Sequence, residues 1–297
     1  MLNKFYRFII GLYHALFYRK DFDPAINFIE INRDIRKLDS IEEIPKIIWL
    51  YWEDENIPTL VKICMKSIIK HCKGFEVILL NNVTVNQYID LPQLSQKILL
   101  AQKADLIRLE LLSKYGGIWM DATVFLTRNI DWILKKIEYH DAFMFYSDEC
   151  TSNIKNPISE NWFIISRRNS RFINAWRDEF KKCITSENPV KYYDNVKNNK
   201  EMIQNLTVPD YLLCYISAIV CLNREKYNIL YVSSGVTGHY YNYKHFWNGY
   251  GIAFNILLKD KDDIYIPPLL KFTSNSRKLI EFLLKYKVYK KKSILFK

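Results

Sequence analysis

The chain has 297 residues, 49% hydrophobic and 25% charged, a balance that excludes a disordered or fibrous protein and suffices for a sizeable core. Its formal net charge is +11, which suits anionic partners such as nucleic acid, acidic lipid or sugar nucleotides without choosing among them. The six cysteines include no CxxC pair and no zinc-ligand spacing, so reduced thiols in a cytosolic protein are expected.

At the N-terminus, Lys4, Arg7, His14 and Arg19 interrupt an apolar stretch. It is too broken for a spanning helix, and no small-residue cleavage site follows it. At helical period Lys4, Arg7, Gly11 and His14 share one narrow stripe, and Phe5, Phe8, Ile9, Leu12, Leu16 and Phe17 cover the rest. That pattern fits a helix lying in a membrane surface or one packed on the body of the protein.

Next comes a buried strand over Lys46–Trp52 (KIIWLYW), then a helix over Thr59–His71 ended by Gly74. Phe75–Leu80 is a second strand, closed by the turn residues Asn81 and Asn82. Leu94–Leu100 and Ala104–Lys114 are predicted helices. Gly116 and Gly117 stop the latter, and Ile118–Met120 begins a third strand. Further strands are expected at Ala142–Tyr146 and Trp162–Ser166, and helices at Arg171–Lys182 and Met202–Leu222. Ser233–Gly251 is expected to be a loop rich in aromatics, and its part from Gly235 to Gly251, holding His239 and His245, is either a cover over a ligand site or an ordinary surface loop. Lys285–Lys297 is a basic tail with interleaved apolar residues, either solvated or drawn to anionic lipid. The alternation of strand and helix in the first half predicts an α/β fold, Rossmann-like, with helices on both faces of the sheet. Three parts are expected: an N-terminal amphipathic extension over 1–40, a main domain over 41–275 and the tail over 276–297.

In such sheets ligands sit beyond the carboxyl ends of the strands, and Asp121 directly follows Ile118-Trp119-Met120. Asp105 and Arg108 are spaced to share a face of a strongly apolar helix. Alone they read as a local salt bridge. Together with Asp121, which lies between two apolar runs, they suggest a pocket edge, because a buried unpaired carboxylate is costly.

The run ADLIRLELLSKYGGIWMDATVFL resembles the core motif of the capsular polysaccharide synthesis glycosyltransferases. It is similar to the wider group with a DxD sugar-binding region, glycosyltransferase family 32, and more distantly to the large clostridial glucosylating toxins. The resemblance spans roughly Ile44 to Thr273 and is specific from Ala104 to Leu126. It implies a GT-A type mixed sheet flanked by helices, with additional C-terminal helices. It also implies a bacterial enzyme that moves a sugar from a nucleotide-diphosphate sugar to a glycan or lipid-linked glycan, with retained anomeric configuration. By the same resemblance Asp105 and Arg108 would hold donor-sugar hydroxyls, Asp121 would meet the ribose and a manganese or magnesium ion, and Trp49 would stack near the base. Gly116, Gly117 and Thr123 would complete the donor site. The second acid of DxD is Thr123 here, and a neutral hydroxyl is a weaker metal ligand than a carboxylate. Either another residue completes the metal site, or the ion is loosely held, or basic residues replace it. The departure at Thr123 also motivates a non-catalytic relative that only binds sugar nucleotides. No nucleic-acid-binding signature is present, so no nucleic-acid partner is expected. The expected location is the cytoplasm, peripheral on the inner face of the plasma membrane through both termini.

Overall fold

A computed structural model describes residues 2–17, 23–32 and 43–296; Arg19, Lys297 and the expected boundary at residue 40 lie outside the described residues. The centre is a seven-stranded sheet, in spatial order β1-β8-β6-β7-β4-β2-β3. Its strands are β1 (Phe28–Ile31), β2 (Ile47–Tyr51), β3 (Glu76–Leu80), β4 (Gly117–Met120), β6 (Ala142–Tyr146), β7 (Ser159–Ser166) and β8 (Ile229–Ser233). A two-stranded ribbon pairs β5 (Val124–Leu126) with β9 (Leu269–Lys271). β2, β3, β4, β6 and β8 run one way, while β1 and β7 run against them, so the sheet is mixed.

Twelve α-helical segments are described: α1 (Leu2–Phe17), α2 (Thr59–His71), α3 (Leu100–Tyr115), α4 (Asp131–Leu134), α5 (Arg171–Thr185), α6 (Pro189–Tyr192), α7 (Asp194–Lys197), α8 (Lys200–Ile203), α9 (Leu213–Arg224), α10 (Tyr240–Lys244), α11 (Gly249–Leu258) and α12 (Ser274–Lys285). α2 buries Leu60, Val61, Cys64, Ser67 and Ile68, a spacing that keeps one stripe on the core. Trp49, Trp119 and the inner faces of α3, α5 and α9 form one core; Ile48, Leu50, Phe143 and Phe163 belong to a second on the opposite face. Burial on both faces explains why the strands read as unbroken apolar runs rather than alternating ones. All six cysteines are free thiols.

Several elements differ from the sequence expectation. Leu94–Leu99 is not helical, and α3 starts at Leu100. The reason is local: the Gln102 carboxamide accepts the Leu99 N–H at 2.9 Å, capping the helix there. Met202–Leu222 is two helices, because Gln204 and Val208 take positive φ and Pro209 offers no N–H. Ser233–Gly251 is largely packed structure, not an open loop. α10 and the first turn of α11 lie in it, Asn248 caps α11 by accepting from Tyr250 and Gly251, and His239 and His245 are buried. Phe28–Ile31 pairs with Ile229–Val232 at the sheet edge, and Ile294 and Leu295 are buried in the core around α11.

α1 is oriented opposite to the usual pattern. It docks on α11 through its small-residue stripe: Gly11 and Ala15 are buried, and a methyl group on Gly11 would come within 2.4 Å of the Tyr250 Cβ. Phe8 meets Tyr250 and Phe254 edge-on, and Asn248 Nδ2 donates to the Arg7 carbonyl at 2.9 Å. Phe5, Tyr6, Ile9, Leu12, Tyr13, Leu16 and Phe17 remain exposed. Among the described residues no helix is long and apolar enough to cross a membrane.

Candidate functional site

The carboxyl ends of β2, β4, β6 and β8 lie along one edge of the sheet, and antiparallel β7 enters there with its first residues. The chain leaves β4 at Asp121, whose N–H donates to the Trp162 carbonyl at 2.8 Å. It then turns through Ala122 and Thr123 into β5, with the Val124 N–H closing on the Asp121 carbonyl at 2.9 Å.

Asp105, Arg108 and Asp121 meet at this edge. Arg108 Nη1 lies 3.1 Å from Asp105 Oδ1, and Nη2 lies 3.1 Å from Asp121 Oδ1. Nη1 also donates to the Asn161 carbonyl at 2.8 Å, while Asn161 Nδ2 donates to Asp105 Oδ1 at 3.0 Å. The guanidinium stands over the Trp119 ring, 5.0 Å from its centre, and the Trp119 indole donates to Asp121 Oδ1 at 3.0 Å. Arg108 is nearly enclosed at 5% side-chain exposure, but Asp105 keeps 13% and Asp121 25%. The arginine is an internal brace between two carboxylates that keep partial exposure. The fork geometry of arginine suits it to bridging two carboxylates.

Two residues the sequence did not single out as ligands join this cluster. Lys271, at the end of β9, places its Nζ 2.8 Å from Asp121 Oδ2 and 2.9 Å from Thr123 Oγ1. Arg277, on α12, stands over the ring of Trp52 at 5.0 Å; burial lowers its guanidinium below the ordinary value, against the pull of Asp121. Lys271 lies inside the span of the family resemblance, near its carboxyl end. Nothing in the sequence pointed to Arg277.

Burial pushes the Asp105 carboxyl up to about 6, against the pull of Arg108, while Asp121 adds to the rise. For Asp121 burial also raises, but Lys271 and Arg108 outweigh it and hold the carboxyl below its ordinary value. The two acids thus differ, and Asp121 stays ionised to lower pH than Asp105.

Trp49 does not reach the site edge. It is 1% exposed, sits against Tyr88 and Tyr115, and its indole donates to the Gly116 carbonyl at 3.0 Å. Both of its faces are spent on the core, which leaves none for a base. Trp52, just past the end of the same strand, is the partly exposed indole near the cluster. Gly116 and Gly117 also lie away from it, at the amino end of β4, while Asp121 follows the carboxyl end. They serve the turn: φ is 66° and 94°, and a Cβ on Gly117 would fall 2.6 Å from the Ile47 carbonyl oxygen. Gly117→Ala is accordingly expected to cost about 2 kcal/mol, read as a lower thermal midpoint; an unchanged midpoint would show that β2 can give way.

The donor set fits a divalent cation poorly. Both Asp121 oxygens already accept N–H groups, and the Thr123 hydroxyl accepts from Lys271. Among the described residues no three His, Cys, Asp or Glu side chains gather to hold a metal ion. Magnesium or manganese would have to take its oxygens from a position that faces an ammonium group.

Known proteins give the chain its context. O-glycosyltransferase braB of Annulohypoxylon truncatum is 35% identical over 101 residues, 33% of this chain and 22% of that protein. The chain therefore matches about a fifth of that relative's length (22%). The glycosyltransferase GlyE of Streptococcus pneumoniae TIGR4 superposes with a TM-score of 0.44 at 13% identity, covering 85% of this chain and 62% of that one. A glycosyltransferase involved in glycosylation of the major capsid of PBCV-1 gives 0.45 at 10% identity, over 81% and 100%. Both structural likenesses are distant. The profile of the family described as capsular polysaccharide synthesis protein matches residues 19–203, well over half of the sequence, and the chain belongs to that family.

Proposed function

We propose that this protein is a glycosyltransferase that moves a sugar from a nucleotide-diphosphate sugar to a growing surface or capsular glycan, with the anomeric configuration retained. One observation carries the proposal: Asp105 and Asp121, joined by the buried Arg108, stay partly exposed together at the carboxyl ends of the parallel strands. Carboxylates so placed accept hydrogen bonds from sugar and ribose hydroxyls, and the rigid brace lowers the cost of positioning them. Asp105 takes donor-sugar hydroxyls together with Asn161, Asp121 takes the ribose side, and Trp52 offers a ring face for the base.

In the transfer, the bond from the anomeric carbon to the terminal phosphate oxygen breaks, and its electron pair stays on that oxygen. The acceptor hydroxyl oxygen forms the new bond from the same face, and its proton passes to the departing phosphate. The site's task is to orient the donor and to stabilise the charge that appears on the leaving group. The test is turnover by the purified chain over a panel of nucleotide sugars, with a glycan acceptor. Release of a nucleoside diphosphate coupled to acceptor elongation is expected. Donor binding without turnover would instead favour a non-catalytic sugar-nucleotide-binding protein.

The same proposal includes a lipid-linked acceptor and a peripheral place on the inner face of the plasma membrane. The outward apolar face of α1 supports it, as do the exposed Lys285, Lys287, Lys290, Lys291 and Lys292. A ridge of aromatic and aliphatic side chains on a basic protein suits the interface of an anionic bilayer. Vesicles containing phosphatidylglycerol are expected to co-sediment the protein. Leu12→Ser with Leu16→Ser, both on the exposed face, should lower binding by about tenfold. Equal binding by the double variant would remove α1 from the contact.

A further inference from the structure

We propose that Lys271 stands in for the divalent cation, so that the donor's diphosphate is held and neutralised by a side chain of the protein without a metal ion. This inference rests on the donor-site reading above. Its basis is a coincidence of positions. In an Asp-x-Asp site the two acids, here positions 121 and 123, are the ones that would serve a metal. The Lys271 ammonium contacts both positions, 2.8 Å from Asp121 Oδ2 and 2.9 Å from Thr123 Oγ1.

The placement is built into the fold. Lys271 pairs with Val124 in the β5–β9 ribbon, and the Phe272 N–H donates to the Thr123 carbonyl at 3.0 Å. The backbone that carries the lysine is thus tied to the turn that carries Asp121 and Thr123. The residue types also match as a set. Two carboxylates would call for a dication, whereas one carboxylate and one hydroxyl are balanced by a single ammonium. Thr123 and Lys271 are therefore two halves of one substitution of charge.

Lysine has three N–H donors and no acceptor. Two are directed at Asp121 and Thr123, and the third is the one a phosphate oxygen would take. The side chain is 12% exposed, so it is held from below yet reachable from the site. A compact ammonium is a point charge, the form in which lysine serves phosphate groups elsewhere. As the anomeric bond breaks, Lys271 meets the charge growing on the terminal phosphate oxygen. Its position is fixed beforehand, so no ion has to be recruited.

The test uses calorimetry with manganese alone, then with UDP, GDP and inorganic pyrophosphate, each in EDTA and in excess manganese. The native protein is expected to bind no manganese and to bind at least one of the diphosphates equally well in both conditions. Lys271→Ala should weaken that binding at least tenfold in EDTA, and Lys271→Arg should keep most of it. Thr123→Asp combined with Lys271→Ala should create a site that binds manganese and makes diphosphate binding depend on it. Stoichiometric manganese binding by the native protein overturns the proposal without reference to any variant. So does diphosphate binding that is lost in EDTA, and in that case the donor site itself still stands. Unchanged binding by a folded Lys271→Ala also overturns it. If no diphosphate binds under any condition, the donor-site reading falls together with this one.

Discussion

Asp121→Asn is expected to lower kcat for sugar transfer by about a thousandfold, with the chain still folded. The size follows from what the carboxylate joins. Its Oδ1 accepts from Arg108 and Trp119, and its Oδ2 from Lys271. An amide has one acceptor oxygen and one donor group, so it can satisfy only one of these sides. The other side then meets N–H against N–H, and either the arginine brace or the lysine moves. A shift of about 1 Å in a positioning group can cost two orders of magnitude in rate, and the lost charge adds to that. Asp121→Ala is a less clean probe. It strips the acceptor from Arg108, which is almost wholly buried, and breaking such a pair costs about 3 kcal/mol or more in stability. The measurement is kcat beside a thermal melt of the same sample. A folded Asp121→Asn protein that turns over donor at the native rate would place the chemistry elsewhere.

The parts of this site that were legible in the sequence are those built from near neighbours. Asp105 and Arg108 share a helix face, and Asp121 follows a strand within the same motif, so local periodicity brings all three to one edge. Lys271 was not legible as a ligand, because it is 148 positions from Thr123 and only the pairing of β9 with β5 unites them. Trp49 and Trp52 show a different limit. Both lie in KIIWLYW, and in a strand buried on both faces no alternation says which indole looks out. Register decides: Trp49 pairs with Trp119 inside the sheet, and Trp52 stands past its end. Gly116 and Gly117 were read beside the donor because they adjoin the motif, yet a strand separates them from Asp121. In α1 the apolar residues mark the outer face. The small side chains of Gly11 and Ala15 permit close approach to α11, and that contact outweighs the apolar stripe.

Glu160 should give the protein a pH-dependent stability that Glu160→Gln abolishes. This residue is the second of β7, beside Asn161, and is buried. It accepts the indole N–H of Trp162, receives the Ser234 hydroxyl at 3.2 Å, and lies 3.5 Å from His239 Nε2. His239 gives it no positive partner: burial, with Lys271 adding to the effect, pushes that imidazole down to about 3. Burial first, with Asp148 adding, pushes the Glu160 carboxyl up to about 8, although Trp162, Ser234 and Lys271 pull the other way. Between the ordinary glutamate value, near 4.5, and about 8, the folded chain keeps a proton that the unfolded chain has released. The native state binds more protons across that window, so stability falls as pH rises through it and levels off above the folded value. A shift of this size corresponds to a loss on the order of 4 kcal/mol. Urea unfolding at intervals from pH 5 to pH 9 should show the native protein losing stability relative to Glu160→Gln as pH rises, because buried groups such as His239 shape both profiles. The two curves should be nearest at the acid end, where the native carboxyl is also neutral. Parallel curves across the whole range would mean that Glu160 is ionised in the folded state. The Trp162 and Ser234 donors, with the charge of Lys271, would then outweigh the cost of burying its charge.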